Sequence, residues 1–394
     1  MALYPFHGAW HGGAAVLAAS QLALEQVNQR DDVLPGYRLN LLWNDTGCDP
    51  GLGLDLMFQH LYSPPTKIMI IGALCSIVSQ ATAQVSHRWN VVQLSPVSSS
   101  PALSNKSRFK MFLRTNSPDS DINPAKIEMF TQFGWSKIAT IHQAFELFSV
   151  ANDGLIGLMK KKGMTVVTSE IITTDPIIQV RNLQESGARI IVGSFYADMA
   201  VRVFCEAYKI GLYGPKIAWI LVGWYSENWW NVSVPNTDCT IDQIKEAIDG
   251  YFAVDPIRVN PKPELTISGQ TAHEIQKLFL QRINHEPLPA LNSGLQGFDA
   301  IWTAALALNK TMTDLENNGS ARLENFTYQD TEMGKLLFNN AMNTEFPGVR
   351  GWISFNKKGD LNSIYRIDRF QDHVNISYIG ESHEGLQFSS CWHM

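Results

Sequence analysis

Five serines, two prolines and an asparagine crowd Gln93–Asn105, directly behind the apolar run Asn90–Leu94. Ser, Pro and Asn are turn formers, and a serine before a helix serves as its N-cap, so a plain loop is one reading. The other is a binding site. At the carboxyl end of a parallel strand, serine hydroxyls and the unpaired amides of the next helix converge on one point, which suits a carboxylate or a phosphate. Three aromatics fall in similar places. Tyr196 follows the apolar run Arg189–Gly193, Trp224 follows Ile217–Val222, and Trp10 lies in the loop after a short first strand. Aromatics at strand carboxyl ends are suited to sandwiching a small molecule in a cleft.

Reaction chemistry has little support. Phosphate-loop, dinucleotide-binding and Gly-x-Ser-x-Gly patterns are missing. The His11-Gly12-Gly13 triplet is similar to an oxyanion loop but lacks a nucleophile elbow. His7 and His11 have a zinc-like spacing of four, yet they flank a glycine and have no acidic or cysteine companion. The chain is therefore expected to bind without turnover and without a cofactor or metal.

The elements that must position these residues alternate between strand and helix. Arg38–Asn44, Lys67–Gly72 and Val91–Leu94 read as strands, with helices over Gly51–Tyr62 and Val78–Arg88. The rhythm resumes with helix Lys126–Phe133, strand Ile138–His142, helix Phe145–Lys161, strands Thr165–Ser169 and Arg189–Gly193, helix Ala197–Tyr208 and strand Ile217–Val222. A last strand pair is expected near Ile364–Phe370 and Val374–Ile379. Continuous Ile/Val runs mark strands buried on both faces, so the fold class is α/β with parallel sheets between helices. At 394 residues, 45% of them hydrophobic and 17% charged, the chain is long enough for two such cores. Irregular passages at Arg114–Pro124, Gly250–Glu264 and Glu345–Phe355 predict three crossings, a three-strand hinge between two lobes that close over small ligands. The expected division is 1–115 with 256–347 as lobe 1 and 116–255 with 348–394 as lobe 2.

A net charge of −6 and the lack of a basic stripe argue against nucleic acid or an anionic membrane as partner. No apolar run reaches the spanning length of about 18 residues; Ile68–Val78 reads as a buried strand running into a turn. Sequons begin at Asn44, Asn105, Asn231, Asn309, Asn318, Asn325 and Asn375. With five cysteines, enough for two disulfides and one odd thiol, they suggest an extracytoplasmic protein whose leader is missing from the first residues. Spacing alone leaves the cysteine pairing open.

Seven motifs carry a resemblance: WHGG (from Trp10), NDTGCDPG (from Asn44), SSSPALSN (from Ser98), RIIVGSFY (from Arg189), VFCEAY (from Val203), GWYSENWW (from Gly223) and FDAIWTAALALNKT (from Phe298). In this order and spacing, from Ala2 to about Tyr378, the chain resembles the ligand-binding ectodomain of type B GABA receptors. These are class C G-protein-coupled receptors with a bilobed, periplasmic-binding-protein-like Venus-flytrap fold. The resemblance implies that Ser76 and Ser99 hold a ligand carboxylate with help from Tyr196, and that Trp10 and Trp224 cover the ligand. It pairs Cys48 with Cys75 and Cys205 with Cys239, leaving Cys391 unpaired. Where the family has a histidine and an amine-pairing glutamate, this chain has Asn116 and Ser293, so the resemblance leaves three expectations: a small carboxylate without an amine, an amino acid held another way, or no ligand, as in the family's non-binding partner subunit. Phe58 and Tyr62 match positions that pack on a second subunit, in a helix whose Leu54, Met57, Phe58, Leu61 and Tyr62 have apolar helical spacing. The resemblance further implies a plasma-membrane receptor whose membrane domain, absent from this chain, engages a G protein. A free secreted or periplasmic binding protein is the alternative.

Overall fold

The computed structural model describes residues 1–380 except 233, 236, 318, 320, 321, 372 and 373; Asn318 and Cys391 lie outside the described residues. Two compact units emerge. Unit 1 holds Met1–Ser99, Leu103–Pro118 and Arg258–Asn362; unit 2 holds Ser100–Ala102, Asp119–Ile257 and the chain from Ser363.

The first pass of the chain runs β1 (Ala2–Tyr4), α1 (Gly13–Asn28), β2 (Trp43–Asp45), α2 (Pro50–Tyr62), β3 (Met69–Gly72), α3 (Ser76–Ser86), β4 (Val92–Ser95) and β5 (Phe112–Arg114). Their sheet has the order β2-β1-β3-β4-β5, with every neighbouring pair parallel. All residues of β1, β3, β4 and β5 are buried, as the unbroken apolar runs require. Ile68–Val78 becomes a strand and a turn as expected, but its helix begins at Ser76, which puts that serine in the first turn. The strand expected over Arg38–Asn44 shrinks to Trp43–Asp45. Its Leu39 is tied instead by the Asn28 side chain, which accepts from the Leu39 N–H at 2.9 Å and donates to its carbonyl at 3.0 Å. A local amide has replaced the ladder partner.

The second pass runs α4 (Asn123–Gln132), β6 (Lys137–Gln143), α5 (Glu146–Lys161), β7 (Thr165–Ile172), α6 (Ile177–Glu185), β8 (Ile190–Ser194), α7 (Ala197–Ile210), β9 (Ala218–Val222), α8 (Ile241–Ile248) and β10 (Phe252–Pro256). The third contains α9 (Ala272–Arg282), α10 (Gln296–Asn317), α11 (Thr331–Met342) and the hairpin β11 (Phe346–Gly348) with β12 (Gly351–Ile353). α10 packs on α1 at Gly297, where an added Cβ would lie 2.5 Å from both Ser20 Oγ and Val16 O. The last pass supplies β13 (Tyr365–Gln371) and β14 (Val374–Gly380). The unit 2 sheet has the order β14-β13-β10-β9-β8-β6-β7; β10, β9, β8, β6 and β7 run parallel, and β13 and β14 close it antiparallel.

The third return of the chain comes later than the expected 347/348 boundary. Residues 348–362 belong to unit 1. Asp299 accepts from the Val349 and Arg350 amides at 2.8 and 3.4 Å, β12 pairs with β11, and the Asp360 carboxylate takes a 2.7 Å hydrogen bond from Arg114 Nε. The side-chain ties among these span 50 to 246 residues of sequence, so local composition could not reveal them.

Both disulfides implied by the resemblance form. Cys48–Cys75 and Cys205–Cys239 each have Cα atoms 5.6 Å apart and close loops of 27 and 34 residues. No helix of the described residues is long and apolar enough to cross a membrane.

Candidate functional site

In unit 1 the serine loop leaves the carboxyl end of β4, and its serines divide into two kinds. Ser95 Oγ donates to Ala73 O at 2.6 Å and accepts from the Ser98 N–H at 3.0 Å. Ser98 Oγ, itself buried, has Leu74 O at 3.0 Å, Ala73 O at 3.1 Å and Ser79 Oγ at 2.8 Å. These hydroxyls peg the loop to the turn between β3 and α3. Ser99 differs. It is half-buried, its N–H donates to Ser76 Oγ at 3.2 Å, and its own hydroxyl has no hydrogen-bond partner among the described residues. Ser76 and Ser99 are thus brought side by side at the amino end of α3, where backbone N–H groups and the helix dipole favour an anion.

The back of the loop is held by a group that sequence reasoning did not single out. Arg114, fully buried at the end of β5, donates from Nε to Asp360 Oδ1 at 2.7 Å, from one terminal nitrogen to Ser98 O at 3.0 Å and from the other to Ser104 Oγ at 2.8 Å. Ser104 Oγ in turn donates to Asp360 Oδ2 at 2.7 Å. A buried arginine–aspartate pair survives desolvation only when its remaining donors and acceptors are matched in this way.

The two positions that depart from the family pattern fall near one another. Asn116 Nδ2 donates to Val97 O at 2.7 Å, and its Oδ1 lies 3.4 Å from both Gln296 Nε2 and a terminal nitrogen of Arg350. Ser293 is the buried last residue of the turn Leu291–Ser293, three residues before Gln296. Asp299, a fully buried carboxylate one turn along α10, is raised to about 6 by burial, partly offset by the Val349 amide. It is committed to those backbone amides. Trp10 reaches the same neighbourhood: an added Cβ at Gly12 would lie 2.5 Å from the Trp10 ring and 2.7 Å from Ala290 Cβ, just before the Ser293 turn. Cys75 Sγ sits 3.6 Å from Trp10 O, so the Trp10 backbone lies against the residue that precedes Ser76.

In unit 2, Tyr196 is the N-cap of α7 just beyond β8, with its N–H donating to Gln143 Oε1 at 3.1 Å. Its ring centroid lies 5.6 Å from Phe145, 5.2 Å from Phe148 and 5.8 Å from Trp224, and Trp224 stacks on Phe148 at 6.3 Å. Burial, then the Asp119 and Asp198 carboxylates, push the Tyr196 phenol up to about 12, so it stays a hydrogen-bond donor at any ordinary pH. The Trp224 Nε1–H is buried without an acceptor among the described residues. Phe145 and Phe148 were missed, although they obey the rule that singled out Tyr196: both follow the carboxyl end of a strand, here β6.

His7 and His11 do not converge. His7 Nδ1 contacts Asp45 at 2.6 Å, whereas His11 Nδ1 faces Gly8 O. On α2, Phe58 and Tyr62 pack against Trp89 with centroids 5.5 and 6.4 Å away, and Tyr62 remains 75% exposed.

Each unit is a parallel α/β layer with hydroxyls or aromatics at the carboxyl ends of its strands, the places where ligands of open α/β sheets bind. The family described as "Receptor family ligand binding region" matches residues 15–372, and the chain belongs to it. Among characterised proteins it is 37% identical over 98% of its length to the gamma-aminobutyric acid type B receptor subunit 1 of Mus musculus, covering 41% of that protein. It is 35% identical over 92% to subunit 1 of Caenorhabditis elegans (40% of that protein) and 30% identical over 94% to subunit 2 of Homo sapiens (39%). The chain therefore spans about two-fifths of the length of the curated relatives it matches.

Proposed function

We propose that this chain is the extracellular ligand-binding region of a type B GABA-like, class C G-protein-coupled receptor, and that its ligand is a small carboxylic acid. The observation that carries the reading is the Ser76–Ser99 pair, with a hydroxyl on Ser99 that no described residue uses. Neutral donors at a helix amino end hold a carboxylate by charge-assisted hydrogen bonds without a buried cation. The ligand docks on Ser76 and Ser99 beside Trp10, and Tyr196 and Trp224 of unit 2 then cover it; a ligand drives closure only by binding the closed state more tightly than the open one. Asn116 and Ser293 supply no carboxylate for an ammonium, and leaving such a charge uncompensated in a closed site costs several kcal/mol. Acids lacking the amine are favoured on that ground. Signalling follows from pairing through the α2 face around Phe58 and Tyr62 with a second subunit, and from a membrane domain beyond this chain that engages a G protein.

Isothermal titration of the disulfide-intact chain with GABA and with matched acids lacking the amine tests this. Binding of the amine-free acids alone is the expected result. Equal or tighter binding of GABA would refute the reading of the amine end, and binding of neither would refute the carboxylate anchor.

A further inference from the structure

At the other end of the unit 2 sheet, away from Tyr196 and Trp224, lies a cavity of about 1030 Å³. The first residues of β8, β9 and β10, Ile190, Ala218 and Phe252, line it, so it sits at the amino ends of the parallel strands. Its apolar wall is a packed aromatic group: the half-buried Trp135 has Phe133 at 4.8 Å and Phe252 at 5.9 Å between centroids. Arg369 enters from β13, directly opposite Phe252 in register, with its guanidinium carbon 5.4 Å above the Phe252 ring.

The charge arrangement there is unusual. Arg369 Nε is buried without an acceptor, and neither Arg369 nor the cavity's Lys216 and Lys245 has an ion-pair partner among the described residues. A sequestered N–H left unmet is destabilising, and an acceptor from a bound molecule would remove that cost. An arginine stacked on an aromatic face is pre-organised to receive a carboxylate. The cavity also contains the exposed carboxylates of Asp242, Glu246 and Asp249, and Glu246 already accepts from the Tyr213 hydroxyl at 2.8 Å. They would repel a polyanion. One acid group on a flat apolar body fits both the wall and the charge.

We infer that this cavity is a second ligand site, which binds a small aromatic monocarboxylate with its ring against Trp135 and its carboxylate on Arg369. Its occupancy does not depend on the serine loop. The test is isothermal titration of the folded chain carrying Ser76→Ala and Ser99→Ala, which silences that loop, with 2-naphthoate, 2-naphthylmethanol and 2-naphthylmethylamine. One naphthoate is expected to bind per chain, the alcohol about tenfold or more weaker, and the amine not at all. Arg369→Gln should weaken naphthoate about tenfold or more, Arg369→Lys less, and Trp135→Leu should weaken acid and alcohol alike; circular dichroism establishes that each variant is folded. The inference is overturned if naphthoate gives no heat at millimolar concentration, if alcohol or amine binds as well as the acid, or if a folded Arg369→Gln variant binds naphthoate unchanged.

Discussion

Ser98 and Ser99 are neighbours that should fail in opposite ways. The Ser98 hydroxyl is buried within reach of two carbonyls and the Ser79 hydroxyl. Ala73 O keeps donors from Ser95 and Ser79 when Ser98 is truncated, but Leu74 O loses the hydroxyl 3.0 Å away. One buried acceptor left unmet costs about 1–3 kcal/mol, so Ser98→Ala should lower the stability of unit 1 by that amount. Ser99→Ala removes a hydroxyl that holds nothing in the protein and should alter stability by less than about 0.5 kcal/mol. If Ser99 anchors a carboxylate, its removal instead costs a charge-assisted bond of about 1.5–3 kcal/mol, roughly a ten- to 150-fold loss of affinity. Hydrogen exchange of unit 1 peptides in graded urea reports the first quantity and isothermal titration the second. A Ser99→Ala variant that unfolds as early as Ser98→Ala, or that binds the acid as tightly as the unchanged chain, would refute the division of the loop into pegs and anchor.

Three further outcomes are expected. Arg114→Met should destabilise unit 1 by about 3–5 kcal/mol because it strands the buried Asp360 carboxylate, while Arg114→Met with Asp360→Leu should cost less than Arg114→Met alone; urea unfolding of the two variants beside the unchanged chain checks the order. His142 lies buried on β6 with neither ring nitrogen hydrogen-bonded among the described residues, and burial holds its imidazole below the ordinary value, opposed by the Asp153 carboxylate. The unfolded chain therefore takes up that proton first, near pH 6.5; stability from this group is complete above that pH and lost as the pH falls through it, so His142→Leu should flatten the acid limb of the melting profile. Cys205→Ser with Cys239→Ser should remove about 3–4 kcal/mol from unit 2 by freeing a 34-residue loop, leaving exchange protection in unit 1 unchanged.

Much of the fold was legible because buried parallel strands leave a plain mark. Met69–Gly72, Val92–Ser95, Ile190–Ser194 and Ala218–Val222 each coincide with an apolar run in the sequence. Arg38–Asn44 has the same local appearance yet pairs only at its end, since the Asn28 amide takes the backbone groups of Leu39. Tyr196 and Trp224 were legible by their place after a strand; Phe145 and Phe148 satisfy the same rule, but a phenylalanine offers no polar tip to mark it out from ordinary core. Arg114 gave no signal, because nothing near it in sequence says that Asp360 will be its partner.

The sequence by itself determined the α/β class, the alternation of elements, the family through its ordered motifs, and the positions of the serine loop and the aromatics. Each of these depends on residue types within a few positions of one another. Tertiary structure decided which serine is a peg and which keeps a hydroxyl that no described residue uses, where the third return of the chain falls, and which charges are matched. Those outcomes depend on contacts such as Arg114 to Asp360 and Asp299 to Val349, and on the bare Nε of Arg369. A hydroxyl or a charge acquires its role from the partners it meets, and partners distant in the chain become neighbours only when the sheets assemble.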